Sequence, residues 1–261
     1  MSLAVALRAP LWPLWLLPQG ILIVFLFTAL HECTHRTAFR SEWLNRLVAA
    51  CCGFLVLVPP EWFRCFHAAH HRFTHDPEHD PELASPEPRS RGEYLWRLSG
   101  LPLWRGSLQT LFVNAAGRCA DVYVPAGSRT PVAREARAML GGYALLAAGS
   151  GLLGSDLLLW LWVTPALLGQ PFLRAYLIAE HGRCPHVADM FANTRTTFTT
   201  SLVRRLAWNM PYHAEHHAYP AVPFHALPRF HRLVREHLKT TENGYVRFHR
   251  RFTDELLPLR R

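Results

Sequence analysis

Sixteen histidines occur in this chain of 261 residues, and they are unevenly placed. Seven lie from His31 to His79, nine from His181 to His249, and none between. Within the two groups the spacing repeats. His31 and His35 form H-x-x-x-H; His67, His70 and His71 form H-x-x-H-H; His213, His216 and His217 form H-x-x-H-H again. On a helix, residues i, i+3 and i+4 share a face, so each box can aim two or three imidazoles at one point. Neutral imidazole is a ligand for iron, zinc, copper or nickel, so the ligand type leaves the metal open. Ligand number says more, because eight box histidines exceed what one tetrahedral zinc uses. Two metal ions are the economical reading. A lone histidine would be read as a solvated or packed side chain, but three spaced boxes are not. His225, His231, His237 and His249 follow no such pattern and are read as solvated.

A second motif overlaps the first box. His31-Glu32-Cys33-Thr34-His35 matches H-E-x-x-H, the zinc-protease helix in which Glu acts as base. That pattern is short, and a protease site would leave both H-x-x-H-H boxes unexplained, so the two-metal reading ranks above it.

The boxes must be positioned by the segments between them. Leu11 to Leu30 is apolar apart from Gln19 and matches the roughly 20 residues that cross a bilayer, with Pro13 and Pro18 distorting its first half. No small-residue cleavage site precedes His31, so the segment is expected to be a transmembrane helix and not a removed signal peptide. Leu47 to Val58 is about half the spanning length, ends at Pro59 and Pro60, and reads as a re-entrant or interfacial helix. Ala138 to Ala179, broken at Gly154, Ser155 and Asp156, is expected to form a hairpin of two crossings, over 138–153 and 157–179. Leu101 to Ala116, with Arg105 and Asn114, reads as a further interfacial helix. Boxes sharing a site must lie on one side of the membrane, so an even number of crossings must separate them. With Leu47 to Val58 not crossing and the hairpin crossing twice, the parity holds for all three.

Half the residues are hydrophobic, yet the formal charge is +9, from 28 Lys and Arg against 19 Asp and Glu. Apolar segments joined by basic loops account for both, and positive charge places those loops in the cytoplasm. The basic face suits anionic lipid headgroups or an acidic electron carrier; no nucleic-acid partner is expected. None of the six cysteines forms a C-x-x-C pair, and no G-x-G-x-x-G, P-loop or haem-attachment motif is present. A single domain, 1–261, leaves no room for a cofactor module, so electrons must come from outside.

Together, the three boxes, the continuation His71-Arg-Phe-Thr-His75 into Asp80-Pro81-Glu82, and Tyr212-His-Ala-Glu-His-His217 followed by Tyr219-Pro220 resemble the membrane fatty acid desaturase superfamily. That superfamily includes lipid, carotenoid and alkane hydroxylases. The resemblance covers roughly His31 to His231. It implies an all-α integral-membrane helical bundle with a cytoplasmic cap carrying the boxes, in a bacterial inner membrane. It also implies two iron ions, O2 as co-substrate, a lipid or acyl-chain substrate, and an external donor such as a ferredoxin or a cytochrome with its reductase. By position, the implied ligands are His31, His35, His67, His70, His71, His213, His216 and His217. Members often add a ligand between the hairpin and the last box, for which His181 is the candidate. Asp commonly follows the first histidine; here it is Glu32, which keeps an acceptor able to orient a ligand imidazole. Many members have four spanning helices, against about three here.

Asp80, Glu82 and Glu215 could hydrogen-bond the non-ligating imidazole nitrogens, with helix capping or loop solvation as the alternative. His75 and His79 are read as surface or supporting residues. Asn193-Thr-Arg195-Thr-Thr197 could pack beside the site, but a plain polar loop is the favoured reading. Within the enzyme class, a desaturase is preferred to a lipid or carotenoid hydroxylase or ketolase. The alternative from another class is a histidine-rich membrane metal carrier or sensor. It is disfavoured because transporters place ligands near the membrane midplane, whereas these lie beyond the ends of apolar segments.

Overall fold

A computed structural model describes residues 1–258, so the last three residues of the expected domain 1–261 lie outside the described residues. Its organising element is α2 (Leu16–Thr34), preceded by α1 (Ser2–Ala6) and a 3-10 turn, Trp12–Trp15. Pro13 begins that turn, and Pro18 falls in the first turn of α2, where backbone N–H groups have no intrahelical partner to lose. The prolines therefore shape the entry to the helix and leave its histidine end regular.

α3 (Glu42–Val56) packs against α2 and stops at Leu57, whose φ of 61° is left-handed. Pro60 then starts α4 (Pro60–Phe73), which leaves at 96° to α3 and carries the second box. Next come α5 (Arg91–Leu98), capped by Ser90, α6 (Leu101–Ala115) and α7 (Ala126–Leu152). A π-helical stretch, Leu159–Val163, runs into α8 (Thr164–His181).

One expectation about the 138–179 region is corrected. α7 and α8 are consecutive helices, but they do not pack as a paired hairpin: α7 lies mainly on α6 and α4, while α8 lies on α2. The α2–α8 crossing brings two glycines together. A Cβ on Gly20 would sit 1.9 Å from the Pro165 carbonyl oxygen, and one on Gly169 would sit 2.4 Å from that of Gly20. α7 and α8 are long enough to be candidate spans but less apolar than α2. Among the described residues one helix, Trp12–Thr34, is long and apolar enough to cross a membrane, or two if the bent pair α3 and α4 is one span. The first half of α7 carries Arg129, Arg134, Glu135 and Arg137, and α8 carries Gln170, Arg174 and Glu180, which lowers their mean hydropathy.

After α8 come five short helices: α9 (Met190–Asn193), α10 (Ser201–Leu206), α11 (His213–Ala218), α12 (Leu227–Val234) and α13 (Tyr245–Asp254). The chain is mostly helical, but the all-α expectation needs one correction. Strands β1 (Thr196–Phe198) and β2 (Thr241–Asn243) form a two-stranded parallel sheet. β1 lies in the expected polar loop 193–197, and all five of its residues are buried. At the far end of α2 from the boxes, Arg8 pairs with Asp156 and Trp12 meets Trp160 edge-on, tying the start of the chain to the α7–α8 turn.

Candidate metal centre

All three boxes and His181 converge. His31 and His35 end α2, His67, His70 and His71 lie on α4, His181 is the last residue of α8, and His213, His216 and His217 form α11. They sort into two neighbouring clusters. In the first, the ligand atoms of His31, His35, His67, His71 and His216 all lie within 4.8 Å of one another, and in the second so do those of His70, His181 and His217. His213 joins the second side, its Nε2 3.1 Å from that of His181. All nine histidines carried over from the sequence are therefore brought together.

The nitrogen spacing fits shared ions. The Nε2 atoms of His67 and His35 are 2.9 Å apart, those of His71 and His67 3.0 Å, and those of His70 and His181 3.2 Å. Two ligands at right angles about an ion with metal–nitrogen bonds of about 2.1 Å are separated by roughly 3 Å. Both ring nitrogens of His31 and of His216, and Nε2 of His217, are buried without a hydrogen-bond partner. Buried polar atoms are normally paired, so a group of orphaned lone-pair donors fits metal ligation. Burial first, then the charges neighbouring imidazoles would carry, hold His213, His216 and His217 well below the usual 6.5. These rings are neutral at physiological pH and have lone pairs to give. The donor set suits iron as well as other transition metals.

The surrounding acceptors divide differently from the sequence reading. Asp80 does what was expected of it: its Oδ1 lies 2.9 Å from His70 Nδ1, leaving Nε2 for the cluster. It also caps the following turn, accepting from the backbone N–H groups of His75 at 2.8 Å and Glu82 at 2.9 Å. Burial opposes its charge, but these bonds outweigh burial and hold its pKa below the usual value. Among the described residues the Glu32 carboxylate forms no hydrogen bond with any of the nine histidines. Its Oε1 accepts from the Thr37 hydroxyl at 2.6 Å and the Phe224 backbone N–H at 3.0 Å, so it ties α2 to the segment after the third box. Glu215 likewise meets none of the nine, being held between Thr196 and His231. Both departures follow from helix geometry: neighbouring residues point about 100° apart, so a carboxylate next to a ligand faces away from the metal.

Three further readings change. His231 and His249 are not free in solvent: one bonds Glu215, and the other meets Tyr94 Oη at 3.0 Å and the Ala175 carbonyl at 2.8 Å. Asn193 donates to the Thr74 carbonyl at 3.3 Å and Thr196 to Glu215, so the 193–197 segment underlies the site. His75 is buried beside His186 and His181, while His79 is exposed against Phe73. Two supports escaped the sequence reading. The Thr74 hydroxyl lies 3.1 Å from His217 Nδ1, and Glu180 Oε1 3.4 Å from His213 Nδ1. Glu180 immediately precedes His181, and nothing in that spacing marks it as facing a different histidine.

The family model for fatty acid desaturase matches residues 9–250. The chain belongs to the fatty acid desaturase family. Among curated relatives, it is 32% identical over 93 residues to an sn-1 oleoyl-lipid 12-desaturase of Picosynechococcus, covering 33% of this chain and 26% of that protein. It is 27% identical over 161 residues to an sn-1 acyl-lipid omega-3 desaturase (ferredoxin) of Nostoc, covering 58% and 43%. A dihydrorhizobitoxine desaturase of Bradyrhizobium elkanii is 25% identical over 236 residues, covering 80% of this chain and 65% of that protein. The chain thus spans between about a quarter and two thirds of the length of these relatives. Within this desaturase-family chain, the matched region contains every histidine of both clusters.

Proposed function

We propose that this family member is an O2-dependent oxidoreductase that holds two iron ions and introduces a double bond into a fatty-acyl or related chain. The observation carrying the proposal is the convergence of nine histidines into two adjoining clusters at ligand spacing. In this reading the first ion is held by His31, His35, His67, His71 and His216, and the second by His70, His181, His213 and His217. The bound irons supply the power to remove hydrogen from an unactivated carbon with O2 as oxidant. The chain's own residues hold the ligand rings in place: Asp80 fixes His70, Thr74 fixes His217, and Glu180 leans on His213. Removing two hydrogens while reducing O2 to two waters requires two electrons, which a ferredoxin-type donor supplies, and two protons, which come from solvent. One relative's name specifies ferredoxin.

The proposed placement is in a membrane, with α2 crossing and the clusters at its cytoplasmic end. The Arg8–Asp156 pair supports this arrangement, since it joins the opposite end of α2 to the turn expected on the other side. The deciding experiment is comparative mass spectrometry of lipids and polar metabolites from cells with and without the gene. Loss of two hydrogens from a compound supports desaturation; gain of one oxygen would make the chain a hydroxylase instead. Metal uptake into vesicles without O2 consumption would make it a carrier. A second substrate reading has its own support. The relative aligned over 80% of the chain is named for dihydrorhizobitoxine, not for an acyl lipid, so the substrate need not be a membrane lipid.

A further inference from the structure

Between Leu157 and Ala179 the only charged residue is Arg174. A cation in an apolar segment is costly, and by default it marks a functional site. Its Nε is fully buried without a partner, and the guanidinium forms no ion pair or hydrogen bond among the described residues. The charges acting on it are those of Arg97, Glu180 and Glu82, and among the described residues none of the three forms an ion pair or hydrogen bond with it. Arg97 donates to the Ser85 carbonyl at 2.9 Å and that of Pro86 at 3.0 Å. Glu180 leans on His213, and Glu82 Oε2 lies 3.7 Å from His70 Nε2.

Its position points toward the metal centre. Arg174 precedes His181 by seven residues, two helical turns along the same face and about 10 Å of axial rise. Glu82, whose charge acts on Arg174, borders the second cluster through His70, and its side chain retains 42% of its exposure. One turn before Arg174, Gln170 is 2% exposed and its Oε1 is also unpartnered. Two unmet polar groups therefore lie in a row on the face of α8 that ends at His181. Arg174 is half-buried with its Nε out of contact with water, so an arriving anion would pair with a guanidinium that water solvates only in part, and its planar fork matches carboxylate or phosphate oxygens.

We propose that Arg174 seats an anionic group of the substrate, a carboxylate or a phosphate, and so fixes which carbon of the chain reaches the metal centre. This deepens the desaturase reading and rests on it for the identity of the bound compound. Binding is measurable without turnover, so the two can fail separately. A protein that tells acid from ester yet makes no double bond refutes the desaturase reading and leaves the seat intact.

The test uses the full chain in detergent, titrated by calorimetry with octanoate, octyl phosphate and the neutral methyl octanoate. One of the two anions is expected to bind about tenfold or more tightly than the ester, and which one does identifies the group as carboxylate or phosphate. Arg174→Gln should abolish that preference, Arg174→Lys should weaken it, and Arg40→Gln, an exposed arginine elsewhere, should leave it unchanged. Equal affinity of the unmodified protein for anions and ester overturns the proposal. So does an undiminished preference in Arg174→Gln, or in Arg174→Lys should Arg174→Gln fail to fold.

Discussion

Asp80→Asn separates the two proposed metal positions. In the folded chain the side chains of His70 and Asp80 are 2% and 1% exposed, so their 2.9 Å contact has no water to replace it. With Nδ1–H donated to the carboxylate, His70 keeps its Nε2 lone pair, directed at the second cluster. Asparagine has one acceptor oxygen where aspartate uses two. If that oxygen keeps the His75 backbone N–H that Oδ2 accepts, the amide N–H₂ takes the place of Oδ1 and faces His70. The ring must then accept at Nδ1 and carry its proton on Nε2, the tautomer that cannot ligate. Loss of such a partner typically weakens metal binding 10- to 100-fold, or about 1.4–2.7 kcal/mol. Asp80 contacts none of the five histidines of the first cluster, so only one of two ions should be affected. The assay is iron bound per chain against free iron set by a chelating buffer: wild type should fill two sites, and Asp80→Asn should fill one normally and the other at 10- to 100-fold higher iron. Asp80→Ala should show the same shift plus about 1–2 kcal/mol of lost stability from the removed cap. An equal shift at both sites, or none, would falsify the argument and leave Asp80 as a turn-capping residue only.

Other consequences can be checked directly. His216→Ala should empty the first position and His217→Ala the second, distinguishable by iron spectroscopy at one iron per chain; identical spectra from the two variants would contradict the division. Gly20→Ala should destabilise the chain by about 1–3 kcal/mol or more through overpacking against the Pro165 carbonyl, whereas Gly149→Ala, which meets open space, should not; equal melting points would refute the close crossing. Burial raises the Glu135 carboxyl from 4.5 to about 7, so the folded state binds its proton more tightly than the unfolded chain does. That contribution, about 3 kcal/mol at most, is present below pH 4.5 and lost as pH rises through about 7. Glu135→Gln should flatten the fall in stability over that range, and an unchanged slope would assign it to other groups. Single cysteines at Arg40, Arg89 and Ser155 in a cysteine-free background, probed from outside with an impermeant thiol reagent, should label only at Ser155; labelling at Arg89 but not Arg40 would break the one-sided arrangement.

What could be read before the fold was known depended on periodicity. The histidine boxes are visible because i, i+3 and i+4 are local relations, fixed by helix geometry wherever the helix lies. His181 was reachable only through family resemblance, since no local pattern surrounds it. Hydropathy suggested that the 138–179 helices pair with each other because it averages over a segment, whereas α7 has charges at one end and α8 has polar groups along one buried face. It could not foresee that α8 would choose α2, because the Gly20–Gly169 approach joins residues 149 positions apart. Arg174, a lone charge in an apolar run, went unremarked in the hydropathy reading of 138–179, and its lack of an ion-pair partner among the described residues depends on the folded positions of Arg97, Glu180 and Glu82.

The H-x-x-H-H spacing lets a box aim two or three imidazoles at one point, and the geometry selects two. Positions i and i+4 are offset by about 40° around a helix, but adjacent positions differ by about 100°. Two adjacent histidines therefore cannot readily share one small ion, and each H-H pair is divided. His71 faces the first cluster with His67, while His70 faces the second. On α11 the division reverses: His216 faces the first cluster, and His217 faces the second beside His213. Each repeated box thus supplies two rings to one cluster and one to the other, in opposite senses. This crossing of donors makes α4 and α11 common walls of both clusters. A rotation of either helix moves rings in both clusters at once, so the proposed ions are spaced by two rigid backbones and not by a flexible loop. The supports follow the same logic. Asp80 and Thr74, just beyond α4, act on one histidine from each of the two shared helices, and both of those histidines, His70 and His217, belong to the second cluster.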